Sequence, residues 1–440
     1  MTINEIYESV KEYIWQLERN KEKYLINPEK DFTRHRKISF SDCVMSLLCM
    51  SGGTLFSEVL EYFSDKTDLP SVSAYLQQRA KIKYSAFEQL FRSTVNLSDE
   101  NHLYHGYRLF AADGSDIQIP SNPMDEDTYY PGSNGQKPYN LIHLNAIYDI
   151  ITNTYQDVLI QGSRHCAEHE ALNHMVDCSC VNKALIIADR GYESYNVMAH
   201  IKEKGWKYLI RVKDIGGNGI VSRLDLPSSD EFDIDIDLNI TRKNSKKMMQ
   251  LFEDRNHYRY APPNSKLDFL PSRSSYKEDA VFYRLPFRVV RFKITENQYE
   301  TIVTNLDKYE FAPAELKRLY AMRWGIKTSF RTLKYNIGVI YFHSWKKELV
   351  MQEVFARLAL FNITASIAGE PLKHISKKNY SYKVNVAKVI LICRKLFLDR
   401  ISPHYAQRLI STSVVPIRNE RSFKRKTKPR IAINFIYRIA

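Results

Sequence analysis

No stretch of the 440-residue chain approaches the ~20 consecutive apolar residues of a membrane span. The opening segment MTINEIYESV lacks the basic-then-apolar order of a signal peptide. The six cysteines (Cys43, Cys49, Cys166, Cys178, Cys180 and Cys393) are scattered, unlike the framework of a disulfide-built secreted domain. No internal repeat or low-complexity block is present. These absences lead us to expect a protein of a reducing cytoplasm with no membrane association. One further absence is local. The stretch YAMRWGIKTSFRTLK, Tyr320 to Lys334, contains no acidic residue.

What is there points to a polyanionic partner. The formal charge is +14, with 44% hydrophobic and 26% charged residues, so the chain can bury a sizeable core and keep a basic surface. Nucleic acid is the first candidate partner and an acidic membrane surface the second. The 29 tyrosines offer stacking surfaces for bases, although a basic soluble protein with many core tyrosines has the same composition.

The texture of the chain changes along its length. Residues 1–103 read as helical. SVSAYLQQRAKIKYSAFEQLF holds two short helices parted near Tyr84, and Ser85 with Glu88 reads as a capping box for the second. Basic clusters at Arg34, Arg36 and Lys37 and at Arg79, Lys81 and Lys83 suit either a small DNA-binding module or an ordinary helical cap. From 104 to 212, YRLFAADGSDIQIP reads as strand, turn, strand. Two strands joined at Thr152–Asn153 follow, then a helix over about 165–182, the apolar run ALIIAD, a helix from about Ser194, and YLIRV. Such an order predicts an α/β mixed sheet covered by helices. Residues 213–299 read as a β-rich insertion, in which FDIDIDLNI alternates strictly between apolar residues and Asp233, Asp235 and Asp237. The helical pattern resumes at Pro313 and runs to about Ile337, followed by a second helix over about 348–368. The C-terminal region, 371–440, reads as helical and basic. RNERSFKRKTKPR, from Arg418 to Arg430, is either a phosphate-gripping tail or a solvated one.

Two aspartates are placed for chemistry. Asp113 closes an apolar strand and precedes Gly114, and Asp189 closes ALIIAD. Carboxylates at the ends of two neighbouring strands would come within reach of one divalent ion, and hard oxygen ligands suit Mg²⁺ or Mn²⁺. Each Asp taken singly is more often a turn former or helix cap. At helical spacing Tyr320, Arg323, Lys327 and Lys334 share an arc of about 60° beside an apolar stripe of Leu319, Ile326, Phe330, Leu333 and Ile337.

ADGSDIQIP, IIADRGYESYN, IVTNL and YAMRWGIKTSFRTLK, in that order, resemble the transposases of the insertion sequence 4 family. The likeness covers most of the chain, with a looser match in SAYLQQRAKIKYSAFEQLF and INFIYR. It implies a ribonuclease-H-like core (104–212 and 300–370) carrying a DDE triad, interrupted by the β-rich insertion and flanked by a DNA-binding N-terminal region. It further implies Mg²⁺- or Mn²⁺-dependent cleavage and transfer of double-stranded DNA at transposon ends, a homodimer on DNA, and a bacterial, nucleoid-associated setting. The family's first and second acids map onto Asp113 and Asp189. Of its Tyr-Arg-Glu-Lys helix signature, Tyr320, Arg323 and Lys334 match as phosphate-orienting residues. The Glu position is Lys327.

That exchange removes an oxygen ligand and puts a cation where a metal ion should be drawn. Two like unit charges ~4 Å apart repel by about 4 kcal/mol at an effective dielectric near 20. Lys327 is therefore expected to pair with Asp113 or Asp189, and the copy to bind DNA while cutting it poorly. A non-catalytic DNA-binding protein is the rival expectation. A metal-dependent phosphatase or nuclease on the same core leaves the Tyr-Arg-Lys helix unexplained. Two decoys accompany the site. RHCAEHEALNHMVDCSC invites a zinc reading, but its two close cysteines, Cys178 and Cys180, have one residue between them rather than two to four. The Asp233–Asp235–Asp237 row is expected to be a solvated strand face, and Asp116 a turn residue.

Overall fold

The computed structural model describes residues 1–34, 36–65, 69–97, 102–132, 137–272, 279–296, 298–369, 382–417 and 436–437. Five helices open the chain: α1 (Ile3–Arg19), α2 (Phe40–Cys49), α3 (Leu55–Phe63), α4 (Val72–Arg79) and α5 (Ser85–Val95). The first two start in capping boxes, Thr2 with Glu5 and Ser39 with Asp42, each satisfying backbone N–H groups that a helix start leaves open. The expected capping box of α5 does not form. Glu348, far along the chain, accepts a hydrogen bond from the Tyr84 backbone N at 2.7 Å, and Glu88 turns instead to Arg92.

A ten-stranded mixed sheet follows. Its first part is β1 (Arg108–Ile119), β2 (Tyr129–Tyr130), β3 (Tyr139–Asp149), β4 (Thr154–Gly162), helix α6 (Glu168–Cys178), β5 (Ala184–Ala188), helix α7 (Tyr195–Glu203) and β6 (Lys207–Val212). The order across the sheet is β4-β3-β1-β5-β6. The first three strands run antiparallel to their neighbours, and β1, β5 and β6 run parallel. The two-part arrangement, a meander followed by crossovers through helices, is the ribonuclease-H-like core. The ALIIA of β5 is wholly buried because helices cover both faces at that point.

The segment expected as strand, turn, strand is one continuous strand, β1. Gly114 does not turn the chain, because Asp113 through Asp116 stay in antiparallel register with Ala146 to His143 of β3. Asp116 is accordingly a strand residue, not a turn residue.

Strands of the expected insertion extend the same sheet. These are β7 (Phe232–Thr241), followed by the short helix α8 (Lys246–Leu251), β8 (Tyr258–Tyr260) and β9 (Tyr283–Thr295). β10 (Gln298–Thr304) joins β6 to β9, and β7 and β8 lie beyond. The aspartates of β7 face cations across the strand or from a nearby loop: Asp233 pairs with Arg288, Asp235 with Lys308 at 3.2 Å and Asp237 with Arg284 at 2.7 Å.

The long helix expected from Pro313 to Ile337 is broken. α9 (Pro313–Met322) ends at Arg323, α10 (Trp324–Arg331) restarts at once, and residues Thr332–Ile337 form a π turn closed by Gly338 at φ +93°. A side chain at Gly338 would need a left-handed backbone and would meet Tyr341. α11 (Lys347–Gly369) then runs through the molecule, followed by α12 (Val386–Phe397) and α13 (Pro403–Thr412). The basic run Arg418–Arg430 falls outside the described residues.

The N-terminal helices and α11–α13 share one apolar core, from Ile3 through Leu90 and Leu358 to Ile410. Within it Arg79 is fully buried, donating to Gln352 at 2.8 Å and pairing with Glu353 at 2.9 Å. Arg79 thus belongs to the core rather than to a basic surface.

Candidate active site

Asp113 does not end a strand as expected: it leaves the middle of β1, between β3 and β5, because the register with β3 continues through it, and it is mostly buried. Asp189 is the first residue beyond β5. Its backbone is extended and its carboxylate accepts a hydrogen bond from the Gly191 N–H at 2.9 Å, which caps a short 3₁₀ turn and fixes the side chain. Because β1 and β5 are parallel neighbours, both carboxylates come out at one end of the sheet.

The break between α9 and α10 brings two cations to that spot. Arg323, at the break, places Nη1 3.6 Å from Asp189 Oδ2 and 4.0 Å from Asp113 Oδ2. Lys327, one turn later, places Nζ 3.2 Å from Asp113 Oδ2 and 3.8 Å from Asp189 Oδ2. Arg323 is almost wholly buried, whereas the Lys327 side chain is partly exposed. Burial pushes the Asp113 carboxyl above its ordinary range, and the Asp189 charge adds to the rise. Lys327 and Arg323 pull it back without cancelling the effect.

Tyr320 is buried, with the Arg323 guanidinium 5.3 Å from its ring centre. Burial raises its pKa, while Arg323 and Arg211 oppose the rise. Lys334, in the π turn, donates to Ser115 Oγ at 2.7 Å and to the Asp116 carbonyl at 2.6 Å. The six residues singled out in the sequence therefore gather at one place: Asp113, Asp189, Arg323 and Lys327 in mutual contact, Tyr320 behind Arg323, and Lys334 on β1 two to three residues from Asp113.

Sequence reasoning missed a cluster on the reverse face of β1. His143 Nδ1 lies 2.8 Å from Asp116 Oδ1, and His143 Nε2 lies 3.0 Å from Glu168 Oε1. Ser163 also donates to Asp116, at 3.1 Å. Burial alone would lower the His143 pKa, but the two carboxylates outweigh it and raise the imidazole to about 9. The hydrogen bond from His143 in turn holds Asp116 below the carboxylate range. A histidine in the mostly apolar strand LIHLNAIYD was the one available signal. The histidines and cysteines of the zinc reading do not converge. His169 Nε2 reaches the Gly191 carbonyl at 2.6 Å, and His174 lies beside Cys178. Among the described residues, no three His, Cys, Asp or Glu side chains are grouped to hold a metal ion.

A ribonuclease-H-like sheet with two acids just past the last paired residues of β1 and β5, faced by a cationic helix, fits a nucleic-acid-processing class. Residues 104–363, more than half of the chain, match the family model of the transposase DDE domain, and the chain belongs to that family. The family is one of DNA transposition enzymes, which work with divalent metal ions. The chain is also similar to the piggyBac transposase in its synaptic complex with hairpin DNA, solved by cryo-electron microscopy. The TM-score is 0.47 and the identity 8%, over 96% of this chain and 87% of that one. No curated protein matches the chain. No helix among the described residues is long and apolar enough to cross a membrane.

Proposed function

We propose that this is a transposase of the insertion sequence 4 type, with the Tyr-Arg-Glu-Lys signature altered to Tyr320, Arg323, Lys327 and Lys334. It binds the double-stranded terminal inverted repeats of a bacterial insertion sequence and is impaired in cutting them. The observation that carries this reading is the Lys327 ammonium, 3.2 Å from Asp113 and 3.8 Å from Asp189, where a third carboxylate and a cation would otherwise be. Residues 1–103 act as the helical DNA-binding region, 104–212 and 300–370 as the catalytic core, 213–299 as the β-rich insertion, and 371–440 as a helical, basic C-terminal region. A homodimer pairs two transposon ends.

The residues present do not fit a Mg²⁺ or Mn²⁺ pair. Asp113 and Asp189 retain two of the carboxylates such ions need, but their charge is already met by Lys327 and Arg323. In the intact triad the metals would activate the attacking oxygen and steady the leaving one. Here the chain's own groups are left to bind. Arg323 offers a rigid fork and Lys334 a point charge to phosphate oxygens, with Tyr320 packed against Arg323.

The same contacts favour a second reading, a non-catalytic occupant of transposon ends that inhibits transposition. One experiment separates them: metal-dependent nicking of the element's own end DNA by the native chain and by Lys327→Glu. Impairment at this position requires weak or absent nicking by the native chain and its recovery in the variant. Robust native nicking refutes the reading, and no recovery in a folded variant points to a binding protein that has lost more than one ligand.

A further inference from the structure

The cluster behind β1 is made of ionisable groups that the proposed chemistry does not use. Asp116, His143 and Glu168 come from β1, β3 and the first turn of α6, so three elements meet at one imidazole. The ring is mostly buried, and each of its nitrogens faces a carboxylate oxygen within 3.0 Å. It lies directly beneath Gly114, where an added Cβ would stand 2.3 Å from His143 Nε2 and 2.9 Å from Glu168 Oε1. The glycine next to Asp113 is thus the opening through which the imidazole reaches under the strand.

The connections run on to the site on the other face. The carbonyl of Asp116 and the hydroxyl of Ser115 hold Lys334 Nζ. On α6, His169 follows Glu168 and touches the Gly191 carbonyl, and the Gly191 N–H holds the Asp189 carboxylate. We infer that His143 is a positioning residue: clamped between Asp116 and Glu168, it fixes from behind the strand segment that carries Asp113 and seats Lys334. The imidazole bonds Asp116 Oδ1 on the reverse face, while the Asp116 carbonyl and the Ser115 hydroxyl accept from the lysine. Without it, the Asp116 and Glu168 carboxylates face each other unneutralised at the clamp, and the strand gives way there.

This inference rests on the reading of Asp113 and Lys334 as site residues, so its test uses no DNA and no cleavage. The full-length chain is acylated with an N-hydroxysuccinimide acetate, and the modification rate of each lysine is read by peptide mass spectrometry. In the native chain Lys334 reacts more slowly than the exposed Lys30 and Lys213. In His143→Gln the Lys334 rate rises about fivefold, the scale set by losing one well-placed hydrogen bond, while Lys30 and Lys213 are unchanged. Glu168→Gln, at a half-exposed position, breaks the same clamp and moves Lys334 in the same direction. It decides the matter if His143→Gln fails to fold. An unchanged Lys334 rate in a cooperatively melting variant overturns the inference, as does an equal rise at all three lysines. Whether Lys334→Ala weakens binding of a duplex oligonucleotide is a separate measurement. Its failure would count against the DNA-contact reading and not against the clamp.

Discussion

Lys327 Nζ stands 3.2 Å from Asp113 Oδ2, the closest of four cation–carboxylate approaches that join two acids to two bases. The site is balanced in charge by its own side chains. Replacing Lys327 with Glu turns that balance into three carboxylates against one guanidinium. The native chain should show no rise in melting temperature with Mg²⁺ or Mn²⁺. Lys327→Glu should melt lower without metal and recover as metal is added, by RT ln(1 + [L]/Kd), about 2.7 kcal/mol at a hundredfold excess over Kd. Differential scanning calorimetry across a metal titration reads both.

Asp113 is held above its ordinary pKa chiefly by burial, so the fold favours its neutral form more than the unfolded chain does. For a carboxyl raised in the folded state, stability is lost as pH rises from the ordinary Asp value through the folded one. Asp113→Asn should therefore melt higher than the native chain at pH 7. The difference should shrink as the pH is lowered through the Asp range, where the native carboxyl is protonated in both states. Paired melting curves from pH 3 to 7 test this. A native chain that is the more stable at pH 7 would contradict it.

His143 gives a dependence of the same sign at higher pH. Its folded pKa of about 9 exceeds the ordinary histidine value of 6.5, so its contribution is fully present below pH 6.5 and is lost as pH rises towards 9. His143→Gln should cost on the order of 2–3 kcal/mol at pH 6 and progressively less above pH 8, read from urea midpoints at each pH.

Arg79 and Glu353 form a fully buried pair between α4 and α11, 2.9 Å apart. Removing Arg79 takes the closest cation from a buried carboxylate that keeps His343 as a neighbour. Arg79→Leu should destabilise the chain by about 3–5 kcal/mol. The double variant Arg79→Leu, Glu353→Leu should recover much of that loss, and chemical denaturation of the four forms gives the coupling directly.

Much of this arrangement was legible in the residue order. ALIIAD had to be a buried strand, and its terminal acid had to emerge at the sheet end. The alternation in FDIDIDLNI fixed which side the aspartates take. The helix-spacing arc placed Arg323 and Lys327 on one face and led to the expectation that Lys327 pairs with Asp113 or Asp189; the approach of Arg323 to the same acids was not expected. What was not legible depended on partners distant in sequence. Gly114 looked like a turn because glycine usually marks one. Its actual reason is the His143 ring beneath it, contributed by a strand whose register no local pattern gives. Ser85 and Glu88 had the spacing of a capping box, but Glu348 reaches the Tyr84 amide first. The break at Arg323 carries no proline, and the two carboxylates it serves lie more than a hundred residues earlier.

The four-methylene stem of Lys327 changes the thermodynamics of the place it fills. A dissolved ion occupies a site according to its concentration, and a chelator can strip it away. A charge tethered to α10 has no bulk reservoir and cannot be washed out. Duplex DNA should therefore be held as tightly in EDTA as in Mg²⁺ buffer of equal ionic strength.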